Sequence, residues 1–266
     1  MKYQSILFQG KKVHFRTSGD GPAVVLLHGF LESLDIWEDF SSELQRDFKV
    51  ISIDLPGHGF SENLCEIHGM DLMADVVYEV LMLNKINRCV MVGHSMGGYV
   101  TMAFASKHAP MLAGICLFHS GALADTDEAK ANRDRTVEIV KKSHHHFISQ
   151  FIPELFTPAN REKFADRISE LQAEARQTSP EAIIAALLGM KQRNSHLQTL
   201  LTCGCPVFFI SGKQDPRIPI DKTLSQSALP AHAEVLLLDG CGHMGYIEAA
   251  ETTLKALKFF SERMLY

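Results

Sequence analysis

No apolar run in this sequence approaches the ~20 residues that a membrane-crossing helix needs. The N-terminal stretch from Met1 to Gly10 has an apolar run of only three residues, Ile6-Leu7-Phe8, and lacks the small-residue cleavage site of a signal peptide. Blocks of basic residues are also missing. Lys and Arg are scattered and the formal net charge is −5, which argues against nucleic acid or an anionic membrane as partner. There is no disulfide framework. The six cysteines, Cys65, Cys89, Cys116, Cys203, Cys205 and Cys241, are irregularly spaced, and Cys203-Gly204-Cys205 is too tight for a C-x₂-C zinc knuckle. They read as reduced thiols, and the expected location is the cytoplasm. No internal repeat or low-complexity tract is present.

What remains is an ordinary globular composition, 46% apolar and 21% charged, so the chain can bury a large core and needs no disorder. Residues 3–8 and 12–17 read as a hairpin around Gln9-Gly10-Lys11. The run Ala23-Val24-Val25-Leu26-Leu27 is continuously apolar, as suits a strand covered on both faces. Further strands are expected at 49–54, 89–92, 114–118, 207–210 and 234–238. Helical periods occupy 37–48, 68–84, 96–108, 220–228 and 245–263. This alternation implies a parallel sheet wrapped by helices. Between Ser120 and Thr202 the pattern changes. The segment is charged, helical in period and punctuated by Pro153, Pro158 and Pro180. About 80 residues is too long for a plain connection, so it reads as a helical insertion. The expected division is a core of 1–120 and 203–266 with a helical cap at 121–202.

The chemistry gathers at strand ends. Gly93-His94-Ser95-Met96-Gly97 has G-x-S-x-G spacing between a buried strand and a helix. A serine on so sharp a turn presents its hydroxyl at the sheet edge, with a helix N-terminus aimed at the site. A serine hydroxyl needs a base. Of 13 histidines, His243 is expected to serve, because it follows the last strand at the same edge. His144-His145-His146 lacks an i, i+4 ligand pair and reads as a solvated helix face, and His94 reads as a packing residue of the turn. The base needs a carboxylate. Asp215, after the 207–210 strand, fits the chain order Ser, Asp, His. Asp239 and Asp125 are rivals. For a tetrahedral intermediate the expected oxyanion donors are the backbone N–H groups of Phe30 and Met96. Phe147 and Phe151, with Leu155 and Phe156, are candidates for a pocket mouth. Gly29, Phe147, Phe151 and Arg193 are the expected substrate contacts, with Arg193 as a carboxylate binder. Asp54, Pro56 and Gly57 read as a structural turn.

Taken together, these segments resemble the α/β-hydrolase superfamily. His28-Gly29-Phe30 is similar to its oxyanion loop, and Asp54-Leu55-Pro56-Gly57-His58-Gly59 to its D-x-P-G-x-G turn. Gly93 to Gly98 resembles its elbow, and Ser211 to Asp215 and Gly242-His243 its acid and base segments. The resemblance runs from about residue 12 to 260. It implies a mostly parallel eight-stranded sheet flanked by helices with an inserted helical cap. It also implies a serine hydrolase acting on a small carboxylic ester through an acyl-enzyme on Ser95, with no metal or cofactor and with a small molecule as partner. A C–C bond hydrolase, an enol-lactonase, a thioesterase or a menaquinone-pathway lyase are alternatives on the same fold. A low-turnover binding or signalling protein is the non-enzyme alternative. The oligomeric state is not legible.

Overall fold

The computed structural model describes residues 2–266. Met1, at the head of the N-terminal stretch read above, lies outside the described residues. Eight strands form one sheet: β1 (Lys2–Phe8), β2 (Lys11–Ser18), β3 (Ala23–Leu27), β4 (Lys49–Ile53), β5 (Cys89–His94), β6 (Leu112–Phe118), β7 (Val207–Gly212) and β8 (Ala233–Leu238). Their spatial order is β1-β2-β4-β3-β5-β6-β7-β8. β2 is antiparallel to both its neighbours, and every pair from β4 through β8 is parallel.

The burial pattern explains the continuous apolar runs. Every residue of β3, β5, β6 and β7 is buried, as a sheet covered on both faces requires. Helices α1 (Glu38–Leu44), α2 (Met70–Leu83) and α3 (Met96–His108) lie between the early strands. On one face Phe118 packs edge-on against Trp37 and Phe40. Gly114, four residues earlier on the same strand face, admits Phe260 and Met264 of the C-terminal helix. A Cβ there would lie 2.9 Å from both side chains, so any larger residue would have to displace them.

Two expected helices are shorter than their apolar periods. The 37–48 period is a 3₁₀ turn, Leu34–Trp37, followed by α1. The chain then turns back, with the amides of Asp47 and Phe48 both bonded to the Leu44 carbonyl. Phe48 stays fully buried without being helical. The long closing helix is two: α10 (Gly245–Glu248) and α11 (Ala250–Leu265), broken at Ala249, where φ is −141° and ψ 39°. Each piece has its own attachment. Glu248 binds the loop before α10, while Leu257 and Phe260 anchor α11 in the core.

Between β6 and β7 there is no strand. The segment holds α4 (Asp127–Phe151), α5 (Pro158–Lys163), α6 (Ala165–Ala175), α7 (Pro180–Gln192) and α8 (Leu197–Thr202). Its prolines act as helix starters rather than breakers. Pro158 and Pro180 are the first residues of α5 and α7, after Thr157 and Ser179, whose hydroxyls cap the amides of Asn160 and Ala182. α4 leaves helical geometry at Ser143 (ψ 88°), just before His144-His145-His146. The two ends of the segment lie together: the His196 amide donates to the Ala122 carbonyl at 2.7 Å, and Arg193 Nε to the Leu123 carbonyl at 3.0 Å. Two further 3₁₀ turns aside, Ala109–Met111 and Pro153–Leu155, the remaining α-helix is α9 (Ile220–Ser227), between β7 and β8. Among the described residues no helix is long and apolar enough to cross a membrane.

Candidate active site

Ser95 sits between β5 and α3 with φ 49° and ψ −112°. Positive φ in a non-glycine residue costs about 1–3 kcal/mol and persists only where the surroundings enforce it. Here they do. The Ser95 amide donates to the Phe118 carbonyl at 3.0 Å, and the Ser120 hydroxyl donates to the Ser95 carbonyl at 2.7 Å. The glycines are required by contact as well: a Cβ on Gly93 would run into the Gly97 carbonyl, and one on Gly97 would lie 2.5 Å from the Leu27 carbonyl oxygen. The turn therefore pushes Ser95 out of the sheet edge. Ser95 is partly exposed into a cavity of about 500 Å³, whose wall also includes His243, Phe30, Phe147, Phe151 and Arg193. Its hydroxyl has no protein hydrogen-bond partner among the described residues.

His243 is held from every side. Its amide donates to the Leu155 carbonyl at 2.8 Å, and its carbonyl accepts from His94 Nε2 at 3.0 Å. Glu248 Oε1 accepts from the amides of Gly242 and Met244, both at 3.0 Å, so one carboxylate clamps both neighbours of the histidine. His243 Nδ1 meets Asp215 Oδ2 at 2.8 Å. That bond leaves Nε2 as the ring nitrogen available to the cavity.

Asp215 is nearly saturated. Oδ1 accepts the amides of Arg217 at 2.7 Å and Ile218 at 2.9 Å. Oδ2 accepts from His243 and also faces His119 Nδ1 at 2.9 Å. Burial raises the Asp215 pKa, but the charge interaction with His243 and the hydrogen bonds from both histidines outweigh it, so the carboxyl stays well below its ordinary value. The two rivals are elsewhere. Asp239 is exposed beside Lys213 at 3.6 Å. Asp125 is engaged by Arg133 and by Arg193, the latter at 2.6 Å.

His119 was not anticipated from the sequence. It directly follows β6, at the same edge as the other groups, with φ 48°. Burial holds it below its ordinary pKa, and hence neutral. Its Nδ1 is 2.9 Å from Asp215 but 3.4 Å from the Gly212 amide, so donation to Asp215 is the stronger use. Nε2 is then a buried nitrogen with no partner, pressed against Gly245. The ligand atoms of His119, Asp215 and His243 lie within 4.8 Å of one another. Both Nδ1 atoms are at hydrogen-bond distance from one Asp215 oxygen, so the three groups are joined to one another by hydrogen bonds.

A second buried carboxylate, Glu32, was also missed. It accepts the Gly29 amide at 2.6 Å, the Tyr246 hydroxyl at 3.1 Å and His94 Nδ1 at 2.8 Å. Both ring nitrogens of His94 thus face acceptors, Glu32 and the His243 carbonyl, and both can donate only from the imidazolium. Burial lowers the His94 pKa, but the Glu32 charge and hydrogen bond raise it above its ordinary value overall. Burial likewise raises Glu32, and His94 brings it below its ordinary value. His94 is therefore half of a buried ion pair rather than a simple packing residue.

The loop after β3 is fixed by His28. Its Nε2 accepts the Leu55 amide at 2.9 Å, which puts the proton on Nδ1, 2.7 Å from the Gly29 carbonyl. Among the described residues no protein acceptor meets the amide of Phe30 or of Met96. Gly29 does not line the cavity. It lies behind it, where a Cβ would lie 2.7 Å from Glu32 Oε2 and 2.8 Å from His94 Nδ1. Arg193 does line the cavity, but its guanidinium is occupied by Asp125, by the carbonyls of Leu123 and Met190, and by the Tyr99 ring at 4.0 Å. Asp54 binds the amides of Leu34 at 2.8 Å and Phe60 at 3.0 Å, away from the cavity, consistent with a structural turn.

Comparison with known proteins gives a consistent setting. Residues 22–120 match the family model described as alpha/beta hydrolase fold. A thermophilic esterase from Thermogutta terrifontis, solved with malate bound, superposes with a TM-score of 0.93 over 100% of both chains at 28% identity. The pimeloyl-[acyl-carrier protein] methyl ester esterase of Nitrosomonas europaea is 25% identical over 90% of this chain and 95% of its own length. The dihydrolipoyllysine-residue acetyltransferase component of the acetoin cleaving system of Pseudomonas putida is 27% identical over 89% of this chain. This chain spans 63% of the length of that protein and 33% of three mycobacterial relatives.

Proposed function

We propose that this chain, a member of the α/β-hydrolase superfamily, is a serine hydrolase that cleaves a small carboxylic ester. The observation that carries this reading is the 2.8 Å Asp215–His243 contact, with His243 and the strained Ser95 sharing one cavity wall. His243 Nε2 takes the Ser95 proton as Oγ attacks the ester carbonyl. The amides of Phe30 and Met96 then receive the oxyanion, each being a donor without a protein acceptor. His243 returns the proton to the departing alcohol. It next activates water, which releases the acid from Ser95. Asp215 fixes the ring and stabilises the imidazolium throughout. No metal or organic cofactor takes part in these steps.

In this reading residues 121–202 act as a cap, with Phe147 and Phe151 over the cavity mouth. All six cysteines are free thiols, in keeping with a protein that works in the cytoplasm on a small molecule. The test is labelling with a fluorophosphonate, followed by turnover of p-nitrophenyl esters. Labelling lost in Ser95→Ala, together with turnover of short esters, is expected. Labelling that survives Ser95→Ala would overturn the assignment.

A further inference from the structure

The cavity that holds Ser95 and His243 has a charge opposite to that of the chain. Besides the His94 imidazolium, four of its lining residues are cationic, Arg133, Arg193, Arg217 and Lys222, and two are acidic, Glu32 and Asp125. The chain as a whole carries −5. Both acids are already committed. Glu32 is bound by His94, Tyr246 and the Gly29 amide. Asp125 is shared by Arg133 and Arg193. The interior of this cavity is therefore a positive patch in a negative molecule, and such a patch concentrates anions.

Arg217 and Lys222 differ from Arg133 and Arg193. The carboxylate nearest Arg217 is Glu154 at 3.6 Å, and their side chains are 40% and 61% exposed, a pair worth little in water. The Arg217 guanidinium lies over the Phe151 ring, 4.6 Å from its centroid. That contact rests the guanidinium on an aromatic face, and the long, exposed Glu154 pair leaves it able to take a planar anion. Lys222 lies in the first turn of α9, and among the described residues no carboxylate pairs with it. Arg217 lies on the loop that carries Asp215, and Lys222 on the helix into which that loop runs. The Arg217 amide itself is bonded to Asp215 Oδ1, so the cation is tied to the same anchor as His243.

We propose that Arg217 and Lys222 form a carboxylate-binding subsite, so that the preferred ester carries a free carboxylate remote from the bond that breaks. This rests on the reading of Ser95 as nucleophile. The bound carboxylate is a spectator. The ester C–O bond breaks as the acyl group passes to Ser95, the alcohol leaves with the proton from His243, and water supplies the second oxygen of the new acid. A guanidinium fork binds such a group bidentately. A cavity of about 500 Å³ holds a small organic diacid ester with room to spare.

Two pairs of matched esters test this by kcat/KM. Monomethyl adipate against methyl hexanoate places the charge on the acid side. 4-Acetoxybutyrate against butyl acetate places it on the alcohol side. The anionic member of at least one pair is expected to lead by about tenfold at low ionic strength, and by less in high salt, because screening weakens exposed charge pairs. Arg217→Gln is expected to bring that ratio close to one, Lys222→Gln to lower it, and Arg217→Lys to retain part of it. A wild-type enzyme that labels at Ser95 yet favours neither anionic ester would overturn the subsite while leaving the serine-hydrolase reading intact. An equal loss on anionic and neutral esters in Arg217→Gln would also overturn it, because that is the mark of a merely structural loop residue. Calorimetric binding of adipate to Ser95→Ala needs no turnover. Arg217→Gln in that background is expected to weaken binding about tenfold, and unchanged binding would count against the proposal.

Discussion

Asp215 Oδ2 lies 2.8 Å from His243 Nδ1 and 2.9 Å from His119 Nδ1, so two imidazoles share one carboxylate oxygen. His119 never reaches the cavity wall. It acts on Asp215, and through it on His243.

Removing His119 should therefore change the base rather than the binding of substrate. A buried hydrogen bond to a charged group is worth about 1.5–3 kcal/mol. His119→Ala is expected to lower kcat about tenfold with little change in KM. Asp215, having lost a donor, holds a larger share of its charge for His243, so the acid limb of the pH–rate profile should move to higher pH. His119→Asn, which can place an amide nitrogen near the Nδ1 position, should recover part of the rate. A pH profile that stays put in His119→Ala would show that the residue is only packing.

The Glu32–His94 pair makes a second prediction. Breaking one side of a buried ion pair leaves the other charge uncompensated, at a cost of about 3–5 kcal/mol. Glu32→Gln and His94→Gln are each expected to lower Tm markedly. The double variant should lose clearly less than the two single losses combined, because it buries no orphan charge. Additive losses by denaturant unfolding would contradict the pairing.

Acid stability follows from three histidines outside the reaction. Burial lowers the pKa of His28, takes His58 to about 3 and takes His68 to about 4. As pH falls below about 6.5 the unfolded chain takes up protons that the folded one refuses. Each such histidine then costs about 1.4 kcal/mol of stability per pH unit, until the folded pKa is reached. His94 has the opposite sign. Its raised pKa gives stability that is complete below about 6.5 and fades as pH rises through the folded value. Because the His94 contribution is already complete below about pH 6.5, it does not offset the other three there, so Tm is expected to fall steadily from pH 6.5 to 4.5, and a rise over that interval would refute this account.

Gly97→Ala tests the elbow. Its new Cβ would lie 2.5 Å from the Leu27 carbonyl and 2.7 Å from that of His28, both backbone atoms that cannot swing away. Overpacking of this kind costs about 1–3 kcal/mol. The variant should also slow fluorophosphonate labelling of Ser95, since the strain can be relieved only by moving the turn. Wild-type labelling with a lower Tm would separate the two effects.

Much of this was legible because the informative signals were local. A strand buried on both faces announces itself as an unbroken apolar run, as in β3 and β5. The strained turn at Ser95 announces itself through the glycines it needs. Where the apolar period misled, at Phe48 and at Ala249, buried side chains kept helical spacing while the backbone left helical geometry. His119 and Glu32 were hidden for a related reason. Each is a single polar residue whose meaning lies in a partner 96 or 62 positions away. Arg193 shows the opposite failure. An arginine in the insertion suggests an anion ligand, yet this one is neutralised by Asp125 from within the same segment.

The meeting of the insertion's two ends has an evolutionary consequence. Because His196 bonds to Ala122 and Arg193 to Leu123, the segment leaves and rejoins the sheet at nearly the same place. It is a cassette with one doorway. Lineages can exchange or lengthen it and leave β6 and β7 in place, but a replacement must keep an acceptor for the His243 amide, which the Leu155 carbonyl supplies here. A laboratory can do the same by swapping the residues between those two bonded pairs.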